Sequence, residues 1–225
     1  MASRYSLVDY DSDEEAQKYP RIPISNLTSA GFFVAGILDQ AGIQYGVMGG
    51  MAVKLMGGMR DTRDVDIAFN APGKMRDLWR VLEVQPRLII PKERLISNIM
   101  RIFVRTGPGY DNCPRGIPVE VDLIECGYQN SPRDLGNHRT ELQLTVDSEP
   151  RSIYVIDILY LMRGKMAAFM SRRSDNDRDD ITYLLRAYPE AIQGIKDKLD
   201  PIAVDCFLES VSAENRGYWT RFFGH

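Results

Sequence analysis

The sequence predicts a mixed α/β protein of the α+β kind: a mixed β-sheet core flanked by helices, followed by a carboxy-terminal helical bundle. Three observations carry this expectation. A short apolar run at 45–48 and runs at 65–69, 99–105 and 119–124, in which charged and apolar residues tend to take opposite faces, read as strands. Helical spacing appears between them, as in Phe32, Phe33, Ile37 and Leu38, or Met75, Leu78, Trp79 and Leu82. After residue 155 glycine and proline thin out and the pattern is helical to Phe223, beginning with DILYLMRGKMAAFM and RDDITYLLRAY.

Taken in order, residues 1–20 hold DYDSDEE and little to pack, so a disordered acidic arm is expected. Pro20 and Pro23 lead into a first helix, with Ser25 or Asn26 as its cap and Gly42 at its end. The α/β core spans 21–155 and the helical region 156–225. At 225 residues the chain fits one large domain or two small ones. Trp79 lies on an apolar helical stripe and is expected in the core. The loop 106–118, rich in glycine and proline, fits a lid or an insertion.

Composition narrows the function classes. Hydrophobic residues at 44% and charged residues at 26% are ordinary for a globular protein. No apolar run is long enough to cross a bilayer and the amino terminus is not a signal peptide, so a cytoplasmic protein is expected. Cys113, Cys126 and Cys206 lack CxxC spacing and read as reduced thiols. Two histidines, His138 and His225, set imidazole-based chemistry aside. A net charge of −3 gives no strong nucleic-acid signal.

The chemistry concentrates in residues 44–69, QYGVMGGMAVKLMGGMRDTRDVDIAF. A strand would end at the turn Gly49-Gly50, and a second strand carries Asp64 and Asp66. Residues two apart on a strand share a face, so these carboxylates point the same way. Two anions held so close call for a cation between them, and oxygen-only ligands suit a hard ion such as Mg²⁺, with Mn²⁺ as the alternative. Glycines ahead of them let the backbone approach a phosphate. A third acid follows in VEVDLIE, where Glu120 and Asp122 share one face and Glu125 points to the other, as a surface charge.

The glycine pair, a spacer of 13 residues, Asp64-Val65-Asp66 and a later strand acid resemble the signature of the DNA polymerase beta-like nucleotidyltransferases, with the minimal, abortive-infection toxin-like branch the nearest in pattern. The resemblance implies transfer of a nucleoside monophosphate from a nucleoside triphosphate such as ATP, with release of pyrophosphate by a two-metal mechanism. It implies Asp64, Asp66 and Asp122 as catalytic metal ligands, Asp122 chosen because it precedes the apolar pair Leu123-Ile124, with Glu120 in reserve. Gly49 and Gly50 would hold phosphates, and Arg60 and Arg63 would steer substrate, surface pairing with Asp61 or Asp64 being the equal alternative. Lys165 would reach a phosphate, with Asp179 or Asp180 to orient it or cap the next helix. An unpaired ammonium near an inward stripe is expensive, so a partner is expected, and a phosphate or Asp180 would serve. The acceptor stays open among a small molecule, a protein side chain and tRNA. The competing expectation is a non-catalytic nucleotide-binding or scaffold protein of the same fold.

Overall fold

The computed structural model describes residues 1–94, 97–146 and 148–224; His225 lies outside them. The strands are β1 (Ser3–Tyr5), β2 (Gln44–Met48), β3 (Asp64–Asn70), β4 (Leu88–Pro91), β5 (Ile99–Arg105), β6 (Pro118–Glu125), β7 (Arg139–Val146) and β8 (Glu149–Ile156). The helices are α1 (Ser12–Lys18), α2 (Ile24–Gln40), α3 (Gly49–Leu55), α4 (Met75–Leu82), α5 (Ile158–Arg172), α6 (Asp175–Ala187), α7 (Pro189–Gln193), α8 (Pro201–Ser210) and α9 (Ala213–Phe223). Together they form the expected mixed α/β architecture with a helical carboxy-terminal third.

The strands make one mixed sheet in the order β1-β4-β5-β6-β3-β2-β8-β7. β3 lies inside it, parallel to β6 and antiparallel to β2, so it is hydrogen-bonded on both edges. Val65, Ile67, Ala68 and Phe69 are accordingly fully buried, each large side chain contributing roughly 1.5–3 kcal/mol relative to exposure. Helix α2 packs on β2, β3 and β6, burying Leu27, Ala30, Val34 and Leu38. Helix α5 joins the sheet to the bundle by packing on α6 and α8. A single apolar cluster runs from Leu27 through Ile67 to Phe207, with Trp79 in it as expected.

Several local expectations need correction. Residues 1–20 are not a disordered arm. β1 extends the sheet edge by parallel pairing with β4, and Tyr5 and Tyr10 pack edge-on or tilted against Phe103. The acids there have a local task, since the Asp11 side chain accepts from the Asp13 and Glu14 backbone N–H groups and caps α1. Composition counted their charge, whereas the packing partner Phe103 lies far away in sequence. The first helix begins after Pro23 rather than with a Ser25 or Asn26 cap. Asn26 is buried instead, donating to Thr106 Oγ1 at 2.6 Å and the Arg115 carbonyl at 2.9 Å. Asp111 of the same loop accepts from Ser29 Oγ at 2.6 Å and pairs with Arg87. The loop 106–118 is therefore stapled to α2, which is not how a free lid would be held. Glu125 does point away from Asp122's face, but it is only 9% exposed and is paired with Lys74 at 3.0 Å, so it is no surface charge.

Candidate active site

Strand register assembles the acids. In the parallel β3–β6 pairing, Asp64 stands beside Glu120 and Asp66 beside Asp122. The residues between them, Val65, Ile67, Val121 and Leu123, are buried on the other face, so period-two alternation leaves four carboxylates in one patch. β2 brings Met48 opposite Asp66, and the chain then turns at Gly49 with φ +66°. A Cβ at Gly49 would collide with Asp66 Oδ2, and one at Gly50 would come within 2.6 Å of Arg60 Nη2 and 2.7 Å of Thr62 Oγ1. Close approach, together with the left-handed backbone at Gly49, requires both glycines.

The patch is electrostatically unfinished. Burial, followed by the like charges of Asp64 and Asp122, pushes the Asp66 carboxyl up to about 8, with Lys165 acting in the opposite direction. Although Asp66 keeps some surface toward the cleft, it is ringed closely by protein. Thr62 Oγ1 donates to Asp64 Oδ1 at 3.0 Å. Among the described residues no salt bridge reaches Asp64 or Asp66. Two oxygen donors with unbalanced negative charge fit a hard dication.

Asp122 stands beside that pair and is engaged by a guanidinium. Among the described residues, no group of three or more histidine, cysteine or acidic side chains is assembled to hold a metal. Arg101 donates from Nε and Nη2 to both Asp122 oxygens at 2.8 Å. Glu120, the reserve acid, lies 2.9 Å from the same Nε and accepts from the Tyr10 hydroxyl at 2.8 Å. Burial raises the Glu120 pKa, while Tyr10 and Arg101 oppose it.

The facing wall of the cleft is cationic. Lys165 is buried on α5 and lies 2.6 Å from Asp180 and 3.6 Å from Asp177. Arg60 grips Asp180 through Nε at 2.9 Å and Nη2 at 2.8 Å. Arg172 grips Asp177 likewise at 2.6 and 2.9 Å. Three cations thus enclose two buried anions, and hydrogen bonding to Asp180 and to Asp177 raises the pKa of Arg60 and of Arg172. Of the two partners expected for Lys165, a phosphate or Asp180, the chain itself supplies Asp180, with Asp177 beside it; Asp179 is exposed. Arg60 lines the cleft while paired with Asp180. Arg63 is exposed at the rim. Between the walls lies a cleft of about 940 Å³, lined by Gly49, Asp64, Asp66, Lys165 and Arg172 among others, a size suited to a nucleotide.

Sequence reading overlooked Arg101, Asp177, Arg172 as a site-wall residue, and Tyr10. The first two left a signal. Arg101 alternates with the apolar residues of its strand, and Asp177 and Asp180 are three apart on one helix face.

No family model and no curated protein matches the sequence. Solved structures do resemble the fold. An antigenic nucleotidyltransferase-like protein from Paracoccidioides brasiliensis is 17% identical with a TM-score of 0.50, over 86% of this chain and 97% of that one. A candidate nucleotidyltransferase from H. pylori is 16% identical with a TM-score of 0.50, over 90% and 93%. The antibiotic-resistance factor ANT(2'')-Ia is 10% identical with a TM-score of 0.50, over 79% and 92%. Likeness at this level of identity is one of fold: this chain has the nucleotidyltransferase fold.

Proposed function

We propose that this protein is a metal-dependent nucleotidyltransferase that moves a nucleoside monophosphate from a nucleoside triphosphate to an acceptor hydroxyl. The observation that supports the reading is the pair Asp64 and Asp66, crowded on one strand face with the Asp66 pKa pushed up to about 8, facing the Lys165 wall across the cleft. The fold likeness to nucleotidyltransferase-like proteins agrees with it.

Asp64 and Asp66 would hold Mg²⁺, or Mn²⁺ in its place. When bound, the ion supplies charge neutralisation and Lewis acidity at the phosphate being transferred. The chain itself does the rest. The turn at Gly49 and Gly50 lets phosphate oxygens approach backbone N–H groups without a side chain in the way. The Lys165, Arg60 and Arg172 wall carries one more positive than negative charge, which draws a polyanion into the cleft. In the transfer, the acceptor oxygen forms a bond to the α-phosphorus while the bond to the bridging oxygen breaks. The electron pair leaves with pyrophosphate, and the hydroxyl proton passes to a carboxylate of the same face.

Calorimetric titration of ATP, GTP, CTP and UTP with Mg²⁺ tests the reading. Metal-dependent binding of a triphosphate by the wild-type protein, absent from the Asp64→Ala/Asp66→Ala variant, is expected. Transfer of label from the α-phosphate to an acceptor then identifies the second substrate. A folded wild-type protein that binds none of the four would reduce the chain to a scaffold that kept the fold.

A further inference from the structure

The four carboxylates of the patch fall into two pairs that are treated differently. Asp64 and Asp66 face each other's charge, whereas Glu120 and Asp122 share a guanidinium. Arg101 stands directly across from Asp122 in the antiparallel β5–β6 register, so the sheet itself delivers this cation. Both Asp122 oxygens accept from it at 2.8 Å, and Glu120 Oε1 lies at 2.9 Å. The amino-terminal segment then braces it. The Tyr5 hydroxyl donates to the Arg101 carbonyl at 2.9 Å, the Tyr10 ring lies 5.7 Å from the guanidinium carbon, and the Tyr10 hydroxyl donates to Glu120 at 2.8 Å.

We propose that the Arg101 guanidinium stands where the acceptor-side ion of a two-metal site would sit, so that this chain takes one divalent ion, on Asp64 and Asp66. The inference rests on the metal-dependent reading above. A planar fork matches a carboxylate in both direction and charge, and seating a dication on Asp122 would break that partly buried pair and place two cations side by side. Arg101 is then a positioning residue that orients Asp122 and supplies fixed positive charge there.

Counting bound Mn²⁺ by electron paramagnetic resonance decides the matter. The full-length protein is titrated with Mn²⁺ alone and with the α,β-methylene analogues of the four nucleoside triphosphates. One ion per chain is expected for the wild type, one for Asp122→Asn, none for Asp64→Asn/Asp66→Asn, and two for Arg101→Gln. Two ions on the wild type, falling to one in Asp122→Asn, overturn the inference and leave the metal-dependent reading standing. A single ion on folded Arg101→Gln likewise removes the stand-in role. No ion on the wild type under any condition overturns both the inference and the metal-dependent reading. Should Arg101→Gln fail to fold, the wild-type and Asp122→Asn counts settle the question by themselves.

Discussion

Two pairs of aspartates flank the same cleft, Asp64, Asp66 and Asp177 lining it directly, and are in opposite electrostatic states. Asp177 and Asp180 on α6 are buried and enclosed by Lys165, Arg60 and Arg172. Asp64 and Asp66 on β3 have no such enclosure, and Asp66 is driven toward its neutral form. The first pair is a finished structure that orders the cationic wall. The second is the pair we propose as the binding site, since crowded carboxylates with a strongly perturbed pKa in a cleft are the usual mark of one. Acid count alone does not separate scaffold from site; the partner list does.

This contrast can be broken from either side. The largest effect is expected on the open pair: Asp64→Ala/Asp66→Ala should lower nucleotidyl transfer by about 10³-fold or more, measured with α-labelled triphosphate, while circular dichroism stays native. Retained activity would show that the open pair is not the catalytic site. The closed pair should respond in stability. Asp180→Ala strands Lys165 and Arg60, and breaking a buried pair of this kind costs about 3–5 kcal/mol, so a fall in Tm of roughly 6–20 °C is expected. An unchanged Tm would mean that the enclosure contributes nothing.

A pH dependence sharpens the difference. The Asp66 pKa is raised from 3.8 to about 8. Between these values the folded chain keeps a proton that the unfolded chain has lost, so this group's contribution falls as pH rises through the window and levels off above it. Below 3.8 both states are protonated and the contribution is constant. Asp66→Asn should therefore gain a few degrees of Tm over the wild type at pH 8 and little near pH 4. Added Mg²⁺ should raise the wild-type Tm more at pH 8 than at pH 5.5, as thermal scans across pH would show. The smallest effect belongs to the amino-terminal brace. Tyr10→Phe removes one hydrogen bond to Glu120 and should cost about 0.5–1.5 kcal/mol in denaturant unfolding.

Much of this molecule is written locally. Period-two alternation located β3, β5 and β6, and helical spacing located α2 and α4. The Gly49-Gly50 turn and the shared face of Asp64 and Asp66 also followed from spacing, because backbone geometry forces both. What the sequence could not supply was partnership. Tyr10 with Glu120, Arg101 with Asp122 and Arg60 with Asp180 join residues 110, 21 and 120 positions apart. A charge shows its sign in the sequence, but whether it is open or paired depends on which strands lie side by side. The strand register made one acid pair available and placed a guanidinium over the other, and only the tertiary structure could decide that, since ion pairing acts over a few ångströms of space and not along the chain.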